Sequence, residues 1–149
     1  MSREYTQTLT LTPDQIKKME RAQRETYNQG LINQNSGALS SALGPVSTIL
    51  GLIFITSTTF GVAAATVGLI TSMSQNSKQA LKNMVNDGNN YLRRIMDICD
   101  DNPKYQAVEV ELPFAEYSTL DTRTDYIIRY VIGQGSVKRV KVNGGWILL

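Results

Sequence analysis

Residues 4–12 alternate, with Tyr5, Gln7, Leu9 and Leu11 on one side and Thr6, Thr8 and Thr10 on the other. That period of two predicts a strand with one half-buried face. Thr12-Pro13-Asp14-Gln15 then predicts a helix start. Thr12 caps, Pro13 suits the first helical position, Asp14 favours the positive end of the dipole, and Gln15 completes a capping box. The helix runs from 13 to about 28, on a thin apolar face of Ile16, Met19, Ala22 and Tyr27. Such a face suits a helix lying on a surface or pairing weakly. Residues 28–41 are polar and uncharged, with Gly30 and Gly37, and read as a loop or a continuing helix. The span 13–36 is therefore a polar helix and linker.

Gly44-Pro45 marks a break or a new start, and 42–73 is the apolar part of the chain. Two arrangements fit it. In one, 46–73 is a single helix, roughly 42 Å long at 1.5 Å per residue. Gly44, Gly51, Thr58, Ala65 and Ser72 then recur every seven residues, and Gly61 and Gly68 extend the same small-residue face. In the other, the chain forms a helical hairpin that turns at Thr56-Ser57-Thr58-Thr59, with Gly61 just beyond. Each arm then has about 15 residues, short of the ~20 that cross a bilayer. The sevenfold spacing favours the first arrangement and the Thr/Ser cluster the second.

Residues 77–99 carry Leu81, Met84, Val85, Gly88, Leu92, Ile95, Met96 and Cys99 at helical spacing, with Lys78, Lys82, Asn86, Asn90, Arg93 and Asp97 on the other faces. Gly88 costs about 1 kcal/mol in such a helix unless something packs closely on it. Asp100-Asp101-Asn102-Pro103 ends the helix. The last third, 106–149, is β. Val108 and Val110 alternate with Glu109 and Glu111, 125–132 reads as a strand, Gly133-Gln134-Gly135 as a hairpin connection, 136–142 as a strand and Asn143-Gly144-Gly145 as a second turn. The fold class is α+β in a single domain, 1–149. Its long helices include a central apolar helix or hairpin, and its C-terminal antiparallel meander can take in the N-terminal strand.

Charge sharpens one part of this picture. Residues 26–77 hold no Asp, Glu, Lys or Arg, where an average chain would place about ten. The segment must be covered by lipid, by the rest of the fold or by copies of itself. Its small residues resemble the faces on which membrane helices pack, and they equally suit close packing in a soluble oligomer. No Trp or Tyr belt flanks it; the nearest are Tyr27 and Tyr91. The candidate membrane or oligomer contacts are Gly44, Gly51, Phe54, Thr58, Gly61, Ala65, Gly68 and Ser72. Residues 1–11 lack the apolar run of a signal peptide.

The remaining chemistry is sparse. There is no histidine, so the commonest general base and metal ligand are missing. One cysteine, Cys99, allows no internal disulfide and reads as core. A net charge of +2 does not point to nucleic acid. Gly133-Gln134-Gly135 lies between strands and is no phosphate loop. Asp97, Asp100 and Asp101 form a solvated helix end, and Glu116, Asp121 and Asp125 are scattered loop acids. Lys138, Arg139 and Lys141 guard an edge strand or meet anionic headgroups, and Trp146 packs on the sheet. No catalytic residue, metal site or cofactor is expected.

The plan resembles pore-forming bacteriocins and toxins in architecture alone, an apolar helical segment inside an otherwise water-compatible α+β protein. The first functional expectation is a non-enzymatic, membrane-active protein of that kind, or a phage-derived one, that hides and then inserts the segment. It would be membrane-associated, with the lipid bilayer as partner. The alternative is a homo-oligomeric subunit of a virion, tail or surface assembly, with copies of itself as partner and the apolar helices at the symmetry axis.

Overall fold

The computed structural model describes residues 2–118 and 126–149. Its sheet grows outward from one long strand, β2 (Ala107–Ser118). On one side β2 pairs with β1 (Ser2–Leu11) from Val108 to Tyr117. On the other it pairs with β3 (Ile127–Val131) near one end and β4 (Ser136–Val142) near the other. β5 (Gly145–Leu148) adds to β4. Every pairing is antiparallel, so the α+β class and the capture of the N-terminal strand follow the alternation in the sequence.

One connection differs from expectation. Gly133-Gln134-Gly135 is not a hairpin turn, because β3 and β4 run in the same direction along the same edge of β2. Glu111 to Phe114 spans three steps on β2, while Ser136 back to Val131 spans five. The two surplus residues loop out as a bulge, with Gly133 at φ 67°. Asp121 and Asp125, and so the start of the expected strand 125–132, lie outside the described residues.

The register sorts the sheet's faces. Leu9, Leu11, Val108, Val110, Leu112, Phe114 and Val140 share one face and are buried. Thr6, Thr8 and Thr10 share the other and are exposed. The helices supply the cover. α1 (Pro13–Glu25) starts with the expected capping box, Thr12 and Gln15 bonding each other's backbone N–H. Its apolar face is narrow but not loosely held, since Ile16, Met19 and Ala22 are fully buried. The helix continues as a π-helical stretch, Thr26–Ile32, into residues that read as a loop or a continuing helix. α2 (Ser36–Leu43) follows, capped by Asn35.

The apolar segment is broken rather than continuous. A 3₁₀ turn, Gly44–Ile49, joins α2 to the short α3 (Leu50–Phe54). The chain then turns at Ile55, and α4 (Thr59–Ser72) returns to pack on α2. The break falls at the Thr/Ser cluster. Thr56, Ser57 and Thr58 lie between the two helices, and Thr58 caps the second by accepting from the Gly61 N–H at 2.9 Å.

α5 (Gln75–Asp101) closes the layer against α1. Buried Glu20 joins the two helices, 3.4 Å from Arg24 and 3.9 Å from Arg93. Gly88 is where α5 crosses β3, and a β-carbon there would overlap the Val131 carbonyl. Gln23, fully buried on α1, works at the same spot. Its amide donates to the Val131 carbonyl at 2.7 Å and accepts from the Val131 N–H at 3.0 Å. The Gln23 side chain thus bonds the edge of β3 as a neighbouring strand would.

The Gly88 contact decides the sign of a substitution. Gly88→Ala gains about 1 kcal/mol of helix propensity but forces backbone against backbone, a strain of about 1–3 kcal/mol or more. Urea denaturation is expected to show net destabilisation. An unchanged or raised midpoint would mean that α5 does not approach β3 this closely.

Candidate functional site

The eight candidate contact residues do not form one stripe, because the helix that would align them is interrupted. Phe54, Gly61 and Ala65 are buried, and Phe54 packs edge-on to Tyr130 with ring centres 6.1 Å apart. A β-carbon on Gly61 would lie 2.6 Å from Thr56 Cγ2 and 2.7 Å from Thr58 Oγ1, so the turn needs glycine there. Gly44, Gly51, Thr58, Gly68 and Ser72 are exposed. The seven-residue spacing therefore splits into an inner and an outer set.

That split follows the whole segment. Leu39, Leu43, Val46, Ile49, Leu50, Ile53, Val62 and Ile70 are at most 3% exposed. What faces outward is mainly Ser, Thr, Gly and Ala, with two large exceptions: Phe60 is 69% exposed and Ile55, at the turn, 39%. Beside Phe60 a shallow groove of about 390 Å³ runs between α2 and α4, lined by Ser36, Gly37, Ser40, Ser41, Ala63 and Ala64. Ser40 and Thr59 meet across it at 3.3 Å. This face carries no charge, since every residue contributing to it lies within 26–77.

The segment is held to the sheet by polar groups that the sequence reading did not single out. Arg129, on β3, is 5% exposed. Its guanidinium donates to the carbonyls of Leu52 at 2.7 Å and Ile53 at 3.1 Å, capping α3. It also donates to the Tyr5 hydroxyl at 3.1 Å and to Gln7 Oε1, and it lies over the Phe114 ring at 3.8 Å. Glu116, expected as a loop acid, is on β2 in the same cluster, 2.9 Å from Arg3 and 2.8 Å from Tyr5. The Arg3 hydrogen bond, with help from Tyr5 and Arg129, holds its carboxyl below the usual carboxylate range.

Three further ties fix the turn between the arms. Ile55 bridges Ile128, Thr56 donates to the Ile127 carbonyl, and Thr66 shares a 2.9 Å hydrogen bond with Tyr130. Ile55 itself is strained, a β-branched residue in the rare γ-turn geometry of φ 72° and ψ −57°. Such a residue costs about 1–3 kcal/mol and persists only where its surroundings over-determine it.

A signal for Arg129 was present in the sequence. Ile127, Ile128, Tyr130, Val131 and Ile132 are apolar on both alternations. A strand that is apolar on both faces is covered on both, so a charge within it must be buried and bonded. Elsewhere the chemistry is quiet. Among the described residues no three of His, Cys, Asp and Glu converge as metal ligands. Cys99 is buried, and burial first, then Asp100, push its thiol pKa up, away from a reactive thiolate. Arg139 pairs with Glu109 at 3.0 Å and stacks on Trp146 at 4.3 Å.

No protein-family model, curated protein or solved structure matches this chain.

Arg129→Lys keeps the charge but loses the planar fork that reaches four acceptors. With charge-assisted hydrogen bonds worth about 1.5–3 kcal/mol, the expected loss of stability is about 3 kcal/mol. Hydrogen exchange should rise first in 50–54. Protection there equal to that of the unchanged protein would show that Arg129 does not hold the segment.

Proposed function

We propose that this chain is a non-enzymatic structural subunit that packs against copies of itself through the charge-free face around Phe60. The observation that carries this reading is the sorting of the apolar segment. Most of its large side chains are spent on the chain's own core, and its outer surface is mainly small, uncharged and marked by one protruding aromatic ring. Small side chains let protein surfaces approach closely, and charges are depleted at the centre of interfaces. A ring in a groove of the facing copy is the kind of anchor that dominates such contacts. The class this fits is a repeating subunit of a virion, tail or surface assembly.

Light scattering on detergent-free protein tests it. The unchanged chain is expected as a particle of several copies, and Phe60→Glu is expected to lower its mass about twofold or more. A monomer that persists at high concentration, or a mass indifferent to Phe60→Glu, overturns the reading.

A second reading, insertion into a bilayer, is favoured by one observation. Ser36–Phe54 is a 19-residue helical stretch of mean hydropathy 1.6. With the kink at Val46 straightened, it would be roughly 30 Å long at about 1.5–2.0 Å per residue, the thickness of a hydrocarbon core. Insertion requires the Arg129 cluster to let go. Because the Glu116 pKa is lowered by folding, its contribution is complete above the unfolded value of about 4.3 and is lost as pH falls through the lower folded value. Dye release from anionic liposomes is therefore expected only in acid for the unchanged chain, and at higher pH for Arg129→Lys. Intact liposomes at every pH with both proteins would eliminate this reading.

A further inference from the structure

Both outer edges of the sheet are open, and their bonding patterns match. Val131 turns its N–H and carbonyl away from β2 to Gln23, so its partner Phe114 bonds β1 through Tyr5. The antiparallel alternation then points the backbone of Glu4, Thr6, Thr8 and Thr10 outward. At the far edge, Leu149 donates to the Lys138 carbonyl at 3.2 Å. The same alternation points the backbone of Trp146 and Leu148 outward. Among the described residues nothing pairs with either row.

The two rows agree in three respects. All the outward-bonding residues carry their side chains on the open face of the sheet, the face of Thr6, Thr8 and Thr10. Counted along the path β1-β2-β4-β5, the strands alternate in direction, so the β5 of one copy is antiparallel to the β1 of a second copy in the same orientation. The edges also differ in charge. β5 lies beside Lys138 and Lys141, and β1 carries Glu4 with Glu111 on the next strand; none of these four forms an ion pair among the described residues.

The edges are guarded only in part, β5 by its length of four residues and the lysines beside it. From Tyr5 to Leu11, β1 has no charge, proline or bulge, and β5 exposes Trp146, Ile147 and Leu148, the last at 81%. We propose that copies of this chain join edge to edge, the β5 of one pairing antiparallel with the β1 of the next. The repeat is head to tail, so it adds copy after copy, as a filament or, where the rotation between copies closes, as a ring. Pairing β5 with β5 would bring two sets of Lys138, Arg139 and Lys141 together. Pairing β1 with β1 would leave Trp146 and Leu148 bare. This inference rests on the chain assembling with itself, but through a surface separate from Phe60.

The test uses proline where the N–H points outward, so that no bond within the sheet is lost. In a Phe60→Glu background, Thr8→Pro blocks β1 and Leu148→Pro blocks β5. Phe60→Glu alone is expected to grow in mass with concentration. Each proline variant alone is expected to be monomeric, and an equal mixture to form a dimer that grows no further, because one compatible pair of edges remains. A monomeric mixture overturns the proposal. So does a dimer of either variant by itself, which would assign the contact to β1 with β1 or β5 with β5. Circular dichroism confirms folding, and Thr8→Lys with Leu148→Lys replaces any proline variant that does not fold. Assembly that ignores Phe60→Glu but obeys this complementation would discard the Phe60 interface and keep this one.

Discussion

A single guanidinium decides how the apolar part of this chain is carried. Arg129 sits between sheet and helices, and its planar fork reaches Leu52, Ile53, Tyr5 and Gln7 at once. A charge so enclosed is tolerated because each nitrogen of the fork meets an acceptor and its face meets the Phe114 ring. The carbonyls gain equally. They end a helix of five residues, too short to stand alone, and without a donor they would be left buried and unpaired. Arg129 therefore satisfies the helix end and ties it to β3 in the same step.

The rest of the apolar segment follows from that anchorage. With α3 stopped at Phe54, the chain has to reverse, and the strained Ile55 absorbs the change of direction. The strain is held by bonds on both sides, to Ile127 and Ile128. α4 can then return along α2, with Tyr130 and Thr66 sharing a buried hydrogen bond in an apolar layer. A single long helix would have placed the small residues of 44–72 on one side. The reversal spends the large side chains inward and leaves the small ones outside, which is why the outer surface is free of charge without being greasy. Phe60 stands out against that background because its neighbours are so small.

Much of the scaffold was legible in the residue pattern. The alternation of β1, the Thr12 cap, the amphipathic spacing of α5 and the need for something close to Gly88 are all local signals, and each reports a local geometry. The break at Ile55 was half legible, since Thr/Ser clustering and sevenfold spacing argued opposite ways. Tertiary bonds from β3 decided it, and no local pattern encodes those. Gln23 was illegible for a related reason. On a helix it reads as a solvent-facing polar residue, yet it bonds a strand edge 108 positions away. The Gly-Gln-Gly bulge was misread because the same residues build hairpins; only the shared pairing of β3 and β4 with β2 tells the two apart. The eight candidate contact residues were chosen on a repeat of seven, which has meaning only if the helix is unbroken.

The bulge between β3 and β4 inserts two residues, an even number. Side chains on a strand change sides with every step, so an even insertion leaves inside and outside as they were. Val137 and Val140 still face the core, and Arg139 still meets Glu109 on the open face. Losing a single residue from this loop would turn the β4–β5 hairpin over, setting its cations toward the helices and its valines toward water. Lineages of this fold should therefore tolerate gain or loss here in pairs and resist it singly, a parity rule imposed by the pleat of the backbone rather than by any side chain in the loop.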